Sequence, residues 1–215
     1  MLKPALVIFD CDGVLVDSKG IAFDVSREMA AELGISLSFE EHERYFGIRD
    51  SDMFNCLAVN YGVVLPEDFL RRVEEKKMTR YLLGVPAITG ALHAVRKVAE
   101  AGLPMCVASS GTKERTNLKL KPLGLLAYFG AHVFSGYEVS NGKPSPDIFL
   151  YASEKMGVDP GDCVVIEDSA AGVQAGMEAG MRVLGYSPKS DMQGLSDLGA
   201  EVFVSMAEVP GLIGL

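Results

Sequence analysis

The sequence lacks the features that mark three large classes of protein. No apolar stretch approaches the roughly 20 residues of a membrane span, and the first apolar run ends at Asp10, too early for a signal peptide. Lys and Arg number only 20, against 29 Asp and Glu, and the net charge is -9. A general nucleic-acid binder needs an excess of basic residues. We therefore expect a soluble, cytoplasmic protein that binds neither membranes nor nucleic acids.

Cysteine is also scarce, and its spacing excludes a disulfide framework or a Cys-x-x-Cys site. Cys11, Cys56, Cys106 and Cys163 are far apart in the chain. No histidine near Cys11 indicates a thiol nucleophile. We expect all four to be buried free thiols in a reducing compartment.

What the sequence does contain is a short apolar run that ends in two carboxylates. Residues 5–9 are too few for a typical helix and are rich in β-branched and aromatic side chains, which predicts a buried central strand. Asp10, Asp12 and Gly13 follow at its carboxyl end, where open α/β sheets bind ligands. Two acids so close repel each other unless a cation lies between them. An ordinary acidic turn is the alternative at this point.

The rest of the chain predicts a helical segment inserted into an alternating α/β domain. Residues 17–86 contain only helical patterns. From Gly90 onward strands alternate with helices, among them predicted helices over 113–120, 147–156 and 205–212. This alternation indicates a Rossmann-like, doubly wound parallel sheet with helices on both faces. The predicted core is therefore residues 1–16 and 87–215, with residues 17–86 inserted.

Polar side chains follow three of the predicted strands, and a parallel sheet brings such strand ends to one edge. They are Asp10 and Asp12, Ser109 and Ser110, and Glu167 and Asp168. Lys143 begins a helix that can reach the same edge. Each group alone has an ordinary interpretation as a helix cap, an acidic helix start or a solvated lysine. Together they suit a divalent cation and a phosphoryl group.

These residues form four ordered motifs that resemble those of the haloacid dehalogenase superfamily of phosphotransferases. The motifs are Asp10-Cys11-Asp12-Gly13-Val14, Ala108-Ser109-Ser110, Gly142-Lys143-Pro144-Ser145-Pro146 and Ile166-Glu167-Asp168-Ser169. The resemblance extends over the whole chain, and the insertion at 17–86 is similar to the α-helical cap domain of that superfamily. Within it, the chain resembles the β-phosphoglucomutase-like sugar phosphatases, including those that act on 6-phosphogluconate.

The resemblance implies an aspartyl-phosphate mechanism. Asp10 would be the nucleophile, a strategy that divides one hard step into two. Asp12 would protonate the leaving oxygen and then activate water. True dehalogenases lack an acid at this second position, so Asp12 favours phosphate chemistry.

The resemblance also implies a cofactor and a phosphate site. Mg²⁺ would be held by Asp10, the backbone carbonyl of Asp12, and Asp168, with Glu167 close by or coordinating. Ser109, Ser110 and Lys143 would bind the phosphoryl oxygens.

In the cap, Arg49 resembles an arginine that meets the distal anionic group of the substrate. Lys77 is a second candidate, and Lys76 is as plausible from the sequence. The alternative for Arg49 is a surface arginine at a helix start. Linkers near Val16-Asp17 and Leu83-Pro86 are the predicted hinges of cap closure.

The main rival is a phosphosugar mutase on the same scaffold. β-Phosphoglucomutase has a histidine on its first cap helix, and residues 18–23 contain none. We expect His42, His93 and His132 to be solvated or structural, so the pattern favours a phosphatase. A phospho-acceptor signalling domain and a catalytically idle sugar-phosphate sensor are weaker alternatives. We expect a monomer acting on a small phosphorylated metabolite.

Overall fold

A parallel β-sheet runs through the protein, as seen in a computed structural model that describes residues 3–188 and 192–215. Residues 1–2 and 189–191, which belong to the predicted core ranges, lie outside the described residues. Within the described chain the sheet has six strands, which are β1 (Leu6–Phe9), β2 (Met105–Ser109), β3 (Val133–Ser135), β4 (Cys163–Glu167), β5 (Arg182–Tyr186) and β6 (Glu201–Phe203). Their order is β3-β2-β1-β4-β5-β6, with every neighbouring pair parallel.

Helices cover both faces of this sheet and form the insertion after β1. The α-helices of the described residues are α1 (Lys19–Glu32), α2 (Phe39–Glu43), α3 (Asp50–Tyr61), α4 (Phe69–Tyr81), α5 (Ala91–Glu100), α6 (Lys113–Leu120), α7 (Leu126–Phe129), α8 (Asp147–Met156), α9 (Ala170–Glu178), α10 (Met192–Asp197) and α11 (Val209–Leu212). Short 3₁₀ turns lie at Gly136–Glu138, Pro160–Asp162 and Met206–Glu208. This architecture confirms the predicted doubly wound α/β fold.

Strand β1 lies at the centre of the sheet, and all four of its apolar side chains are fully buried there. Its alternate residues face opposite layers of the core. Val7 and Phe9 pack in a cluster with residues of α5 and α11, whereas Leu6 and Ile8 pack in a second cluster with residues of α8 and α9. A strand buried on both faces reads as a continuous apolar run, as this one does.

The register of β1 determines where its carboxyl end, and the acids that follow it, lie in the sheet. Phe9 is opposite Val107 of β2 and Ile166 of β4, and the backbone N–H of Asp10 donates to the carbonyl of Ile166 at 2.9 Å. From the neighbouring strands β1 and β4, the strand order runs outward to β3 on one side and to β6 on the other, so the direction of winding switches between β1 and β4. Such a switch point opens a crevice beyond the carboxyl ends of the strands.

Helices α1–α4, which we call the cap helices, bury an apolar cluster of their own. Met29 of α1, Phe54 of α3 and Val73 of α4 are all buried in it. The rings of Phe54 and Phe69 lie 5.0 Å apart in an edge-to-face arrangement, which is favourable for aromatic pairs. The helical character of residues 17–86 is as predicted, while their division from the core as a separate domain stays a prediction.

The two linkers to the cap helices run side by side. Val16 forms an antiparallel bridge with Ala87, the N–H of Asp17 donates to the carbonyl of Pro86 at 2.8 Å, and that of Ile88 donates to Leu15 at 3.0 Å. The chain therefore enters and leaves the insertion at one place.

The helix boundaries differ from the sequence predictions in a few places. Helices α6 and α8 have the predicted bounds, whereas the predicted helix at 205–212 is a 3₁₀ turn followed by α11. Helices α7 and α10 were not predicted, because segments of four and six residues carry too little periodicity to recognise. The expectation of buried thiols holds for three cysteines but is wrong for Cys56, which lies on the exposed side of α3.

Candidate active site

The predicted polar groups meet at the carboxyl edge of the central strands. Asp10 follows β1, Ser109 ends β2, Glu167 ends β4, and Asp168 follows it. Gly13 makes the tight turn after β1 with a φ of +86°, and a Cβ there would lie 1.8 Å from Oδ2 of Asp168. Only glycine fits at this close approach of the two loops.

Lys143 lies beneath the site and joins two of the acids. Its Nζ is 2.6 Å from Oδ1 of Asp10 and 2.6 Å from Oε1 of Glu167, and it also donates to the carbonyl of Ala108 at 3.2 Å. Burial alone would lower the pKa of this lysine, but Asp10 and Glu167 more than offset it and raise the pKa above its usual value. Lys143 is therefore a fixed positive charge.

Glu167 has hydrogen-bond donors on both carboxylate oxygens and is fully buried. Its Oε1 pairs with Lys143, and its Oε2 accepts from the backbone N–H groups of Asp168 and Ser169 at 2.9 and 3.1 Å and from the Ser169 hydroxyl at 3.0 Å. Ser169 in turn caps α9 by accepting from the N–H of Gly172. Glu167 thus holds Lys143 and the loop that carries Asp168.

Three acids in this cluster could hold a metal ion. One carboxylate oxygen from each of Asp10, Glu167 and Asp168 lies within 4.8 Å of the others. Burial is the largest effect on both Asp10 and Asp168 and raises their pKa values, opposed by Lys143 at Asp10 and by Lys19 at Asp168. A bound cation would relieve this desolvation and repulsion, so the donor set fits a hard divalent cation.

Asp168 has a basic partner from the cap helices. The Nζ of Lys19, the first residue of α1, lies 2.6 Å from its Oδ2. The same ammonium lies 4.8 Å from the centre of the Phe46 ring. Lys19 therefore connects the core acids to the cap helices.

Asp12 is held differently from Asp10. Its Oδ1 accepts from the hydroxyl of Ser18 and pairs with the buried ammonium of Lys119. Burial alone would raise the pKa of Asp12, but Lys119 and the hydroxyl of Ser18 hold it at about 2. The side chain remains 36% exposed and lines the pocket described below. Asp12 is thus an accessible carboxylate in this arrangement.

The two serines predicted to bind phosphate have different surroundings. Ser109 is fully buried, and its Oγ accepts from the N–H of Gly111 at 3.1 Å. Ser110 lines the pocket, and its hydroxyl donates to the carbonyl of Gly47 in the cap segment.

A pocket between the acids and the cap helices encloses the site. Both Asp10 and Asp12 line it, together with Lys77 from α4 and Arg115 from α6. Lys77 pairs with Asp50 of α3, and its predicted role as a substrate contact stays a prediction. Lys76, the alternative, instead pairs with Glu28 at 2.9 Å and is about one-third exposed.

Arg49 does not line this pocket. It pairs with Asp52 at 2.7 Å and donates to three carbonyls of the core loop, those of Gly136, Val139 and Ser140, at 3.3 to 3.4 Å. Its role as a substrate anchor is untested. In this arrangement it fastens the start of α3 to the core.

The sequence analysis missed four residues near the chemistry, which are Lys19, His42, Arg115 and Lys119. His42, expected to be solvated or structural, is buried and also lines the pocket. The sequence of α6 contained a signal for Arg115 and Lys119. This helix has few apolar residues, so any face that it buries must include polar ones, and Arg115 and Lys119 lie four residues apart on one face. Nothing in the local sequence marks Lys19 or His42.

Comparison with known proteins decides the family. The model of the haloacid dehalogenase-like hydrolase family matches residues 7–186. The chain belongs to the haloacid dehalogenase-like hydrolases. This match confirms the superfamily that the four motifs resemble, and it confirms the prediction of a hydrolase.

Two curated relatives of this hydrolase are named as phosphatases. The 6-phosphogluconate phosphatase of Escherichia coli (strain K12) is 30% identical over 99% of this chain and 96% of its own length. The phosphorylated carbohydrates phosphatase of Thermotoga maritima is 31% identical over 94% of this chain and 95% of its own length. The prediction of a phosphoric monoester hydrolase agrees with these names.

Solved structures share the fold of this hydrolase over nearly its whole length. A HAD family hydrolase from Deinococcus radiodurans R1, with bound phosphate and sodium, has a TM-score of 0.74 at 35% identity and covers 100% of this chain and 99% of its own. The β-phosphoglucomutase of Clostridium difficile has a TM-score of 0.79 at 24% identity and covers 97% of this chain and 93% of its own.

Among the described residues, no helix is both long and apolar enough to cross a membrane.

Proposed function

We propose that this hydrolase is a Mg²⁺-dependent phosphatase of small phosphorylated metabolites, most of all sugar phosphates, and that it acts through an aspartyl-phosphate. The observation that carries the proposal is the position of Asp10. Its carboxylate lines the pocket, is held by a buried lysine, and is part of a three-acid cluster.

Asp10 is the proposed nucleophile. Lys143 engages Oδ1, and Oδ2 makes no hydrogen bond with any residue that the structure describes. In the first step an Asp10 oxygen forms a bond to phosphorus while the bond from phosphorus to the leaving oxygen breaks. In the second step water attacks phosphorus, inorganic phosphate leaves and the Asp10 carboxylate is restored.

Asp12 is the proposed acid and base of these two steps. It gives a proton to the leaving oxygen in the first step and takes one from the attacking water in the second. The contacts with Lys119 and Ser18 favour the carboxylate form, which is the form that the second step needs. Movement of Asp12 away from Lys119 would favour the protonated form that the first step needs.

Asp10, Asp168 and the backbone carbonyl of Asp12 are the proposed ligands of Mg²⁺, which would offset negative charge on the phosphoryl oxygens. The hydrogen bonds already made by Glu167 support a holding role for that residue. Lys143, Ser109 and Ser110 are the proposed ligands of the phosphoryl oxygens.

The substrate class is inferred from the relatives and from the pocket. Both curated relatives are named for phosphorylated carbohydrates or a sugar acid phosphate. The pocket is lined by polar as well as apolar side chains on the cap side, including His42, Asp50, Lys77 and Tyr45. Such a lining suits a leaving group with hydroxyls.

The deciding experiment measures phosphate release from a panel of esters with Mg²⁺, using Asp10→Asn as the control. The panel contains 6-phosphogluconate, hexose and pentose phosphates, phosphoglycolate and nucleotides. We expect release concentrated on one or two sugar phosphates and reduced by on the order of a thousandfold or more in the variant.

The same assay separates the rivals. Interconversion of hexose 1- and 6-phosphates after addition of a sugar bisphosphate, with little free phosphate, would identify a mutase. Full activity in Asp10→Asn would refute the nucleophile assignment.

We also propose a monomer in the cytoplasm, in line with the acidic composition.

A further inference from the structure

His42 is the one histidine that lines the pocket, within the described residues. It belongs to α2 of the cap helices, and only 4% of its surface is exposed. Its Nδ1 is buried and has no hydrogen-bond partner among the residues that the structure describes. A buried, unpaired polar atom costs on the order of 1–3 kcal/mol in a protein, so its retention calls for an explanation.

The ring of His42 is held by aromatic neighbours rather than by polar ones. The centre of its ring lies 5.4 Å from that of Phe23 and 5.1 Å from that of Phe46. Phe46 is the ring beside which Lys19, the partner of Asp168, is placed. The imidazole is therefore positioned by packing. Its Nε2 has no hydrogen-bond partner among the described residues and is not one of the fully buried atoms, so it is the nitrogen that a ligand in the pocket can reach.

The environment also determines the charge of this ring. Burial, followed by the nearby charge of Lys77, lowers the pKa of His42 to about 4, with Asp50 opposing the change. At neutral pH the imidazole is uncharged and offers one N–H donor and one acceptor. A hydroxyl group can accept from Nε2 when that nitrogen carries the proton and donate to it when it does not, so a hydroxyl suits either tautomer, whereas an anionic group would be better matched by Lys77.

We propose that His42 is a specificity-determining residue that hydrogen-bonds a neutral hydroxyl of the leaving group while Asp10, lining the same pocket, receives the phosphoryl group. The inference rests on the proposed function and adds the ligand class for which the cap side of the pocket is built. Hydroxyl-bearing leaving groups give Nε2 of His42 a hydrogen-bond partner, and leaving groups without hydroxyls do not.

The test compares two esters in the wild type and in His42→Phe, which keeps an aromatic ring among aromatic neighbours. The esters are 6-phosphogluconate, rich in hydroxyls, and p-nitrophenyl phosphate, whose leaving group has none. We expect kcat/KM for the sugar acid phosphate to fall about tenfold or more, mainly through KM, because the hydroxyl loses its partner. The value for p-nitrophenyl phosphate should stay within about twofold.

Stability provides the readout that distinguishes a ligand-binding role from a structural one. Because the substitution removes an unpaired buried polar atom, His42→Phe should unfold at the same urea concentration as the wild type or a higher one. His93→Phe, at an exposed position on α5, is the matched control and should change neither ester. Equal losses on both esters, or a loss on neither, would overturn the proposal.

A binding experiment separates this inference from the proposed function. Calorimetry on Asp10→Asn protein, with and without His42→Phe, would measure the Kd of 6-phosphogluconate and of inorganic phosphate. We expect His42→Phe to weaken the first about tenfold and to leave the second unchanged. That result without any hydrolysis by the wild type would refute the phosphatase and leave the role of His42 intact. An unchanged Kd for 6-phosphogluconate would refute the role of His42 even in an active phosphatase.

Discussion

Lys143 and Glu167 show how single residues make this site possible. Both are fully buried ions, and isolated ions in a protein interior are very costly. Each is paired and hydrogen-bonded: Glu167 has Lys143, two backbone N–H groups and a hydroxyl, while Lys143 has two carboxylates and a carbonyl. The pair keeps a positive charge beside Asp10 whether or not a ligand is bound.

Removing the charge of Glu167 tests this arrangement. Glu167→Gln keeps the shape but leaves Lys143 with one fewer carboxylate, and we expect the free energy of unfolding to fall by about 2–3 kcal/mol. Glu154→Gln, at an exposed position on α8, is the control and should change stability by less than about 0.5 kcal/mol. Urea unfolding measures both. Equal stability of the two variants would show that the buried pair contributes nothing.

The acid cluster predicts stabilisation by the metal itself. Mg²⁺ at 100 times its Kd should raise the free energy of unfolding of the wild type by about 2.7 kcal/mol, since it binds only the folded protein. Asp168→Asn should lose most of this gain, and Asp162→Asn, at an exposed position outside the cluster, should keep it. Thermal melts with Mg²⁺ and with EDTA make the comparison. Equal gains in the wild type and Asp168→Asn would exclude Asp168 as a ligand.

At the scale of elements, the helices that follow β4 and β2 bring different kinds of group to the site. Helix α9 starts at the loop of Glu167 and Asp168, with Ser169 as its cap. Helix α6 instead contributes side chains from its own buried face, Arg115 and Lys119. The first helix holds the acids in place, and the second supplies the positive charges that face Asp50 and Asp12.

The start of α9 packs so closely on Glu167 that a methyl group cannot be added. A Cβ at Gly172 would lie 1.8 Å from Oε1 of Glu167, a carboxylate fixed by its own partners. We expect Gly172→Ala to lower the free energy of unfolding by about 2–4 kcal/mol through steric overlap.

Gly20→Ala is the matched control in a helix with free space. Nothing lies within 4 Å of a Cβ there, and Gly20 is exposed in α1. This change should raise stability by up to about 1 kcal/mol, because alanine is the better helix former. Opposite signs for the two variants in urea unfolding would confirm the packing argument, and a stabilised Gly172→Ala would contradict it.

The elements also show what the sequence could and could not predict. Strand β1, which Asp10 follows, was recognisable because an apolar run stops at two acids. Helix α8 was recognisable from its periodicity. The position of His42 was not, because the contact of α2 with the pocket depends on how the cap helices pack on one another. The hydrogen bonds of Arg49 to core carbonyls were not predictable either, because no local pattern encodes such tertiary contacts, and its role toward the substrate stays a prediction.

For the molecule as a whole, buried and half-buried ion pairs fasten the cap helices to the core. Arg115 of α6 lies 2.7 Å from Oδ2 of Asp50 and also pairs with Glu74, while Lys77 pairs with Asp50 from the cap side. Ser110 adds a hydrogen bond to the carbonyl of Gly47. All of these residues except Glu74 line the pocket, so the same groups hold the two parts together and enclose the pocket.

This network predicts a loss of stability in acid. Burial would raise the pKa of Asp50, but Lys77 and Arg115 more than offset it and hold the pKa well below its usual range. The resulting stability is fully present above the unfolded-state value of about 3.9 and is lost as pH falls through the lower folded-state pKa.

Asp50→Asn tests the sign of this effect. At pH 7 the variant should be less stable than the wild type by about 3 kcal/mol, because it leaves buried cations short of a partner. The gap should narrow as pH falls below about 4. Asp24→Asn, in an exposed pair on α1, should follow the wild type at every pH. A gap that stayed constant from pH 7 to pH 2 would contradict the role given to Asp50.

The side-by-side linkers at Val16 and Ala87 have a consequence for how such enzymes diversify. Because the chain leaves the sheet and returns to it at the same point, an insert needs only to bring its two ends together, and each doubling of its length adds only about 0.6 kcal/mol of closure entropy. One helical insert can be exchanged for a longer, shorter or differently lined one while β1 and α5 keep their places. Related enzymes can therefore differ in the insert, and with it in substrate preference, while the core residues that act on the phosphoryl group stay the same.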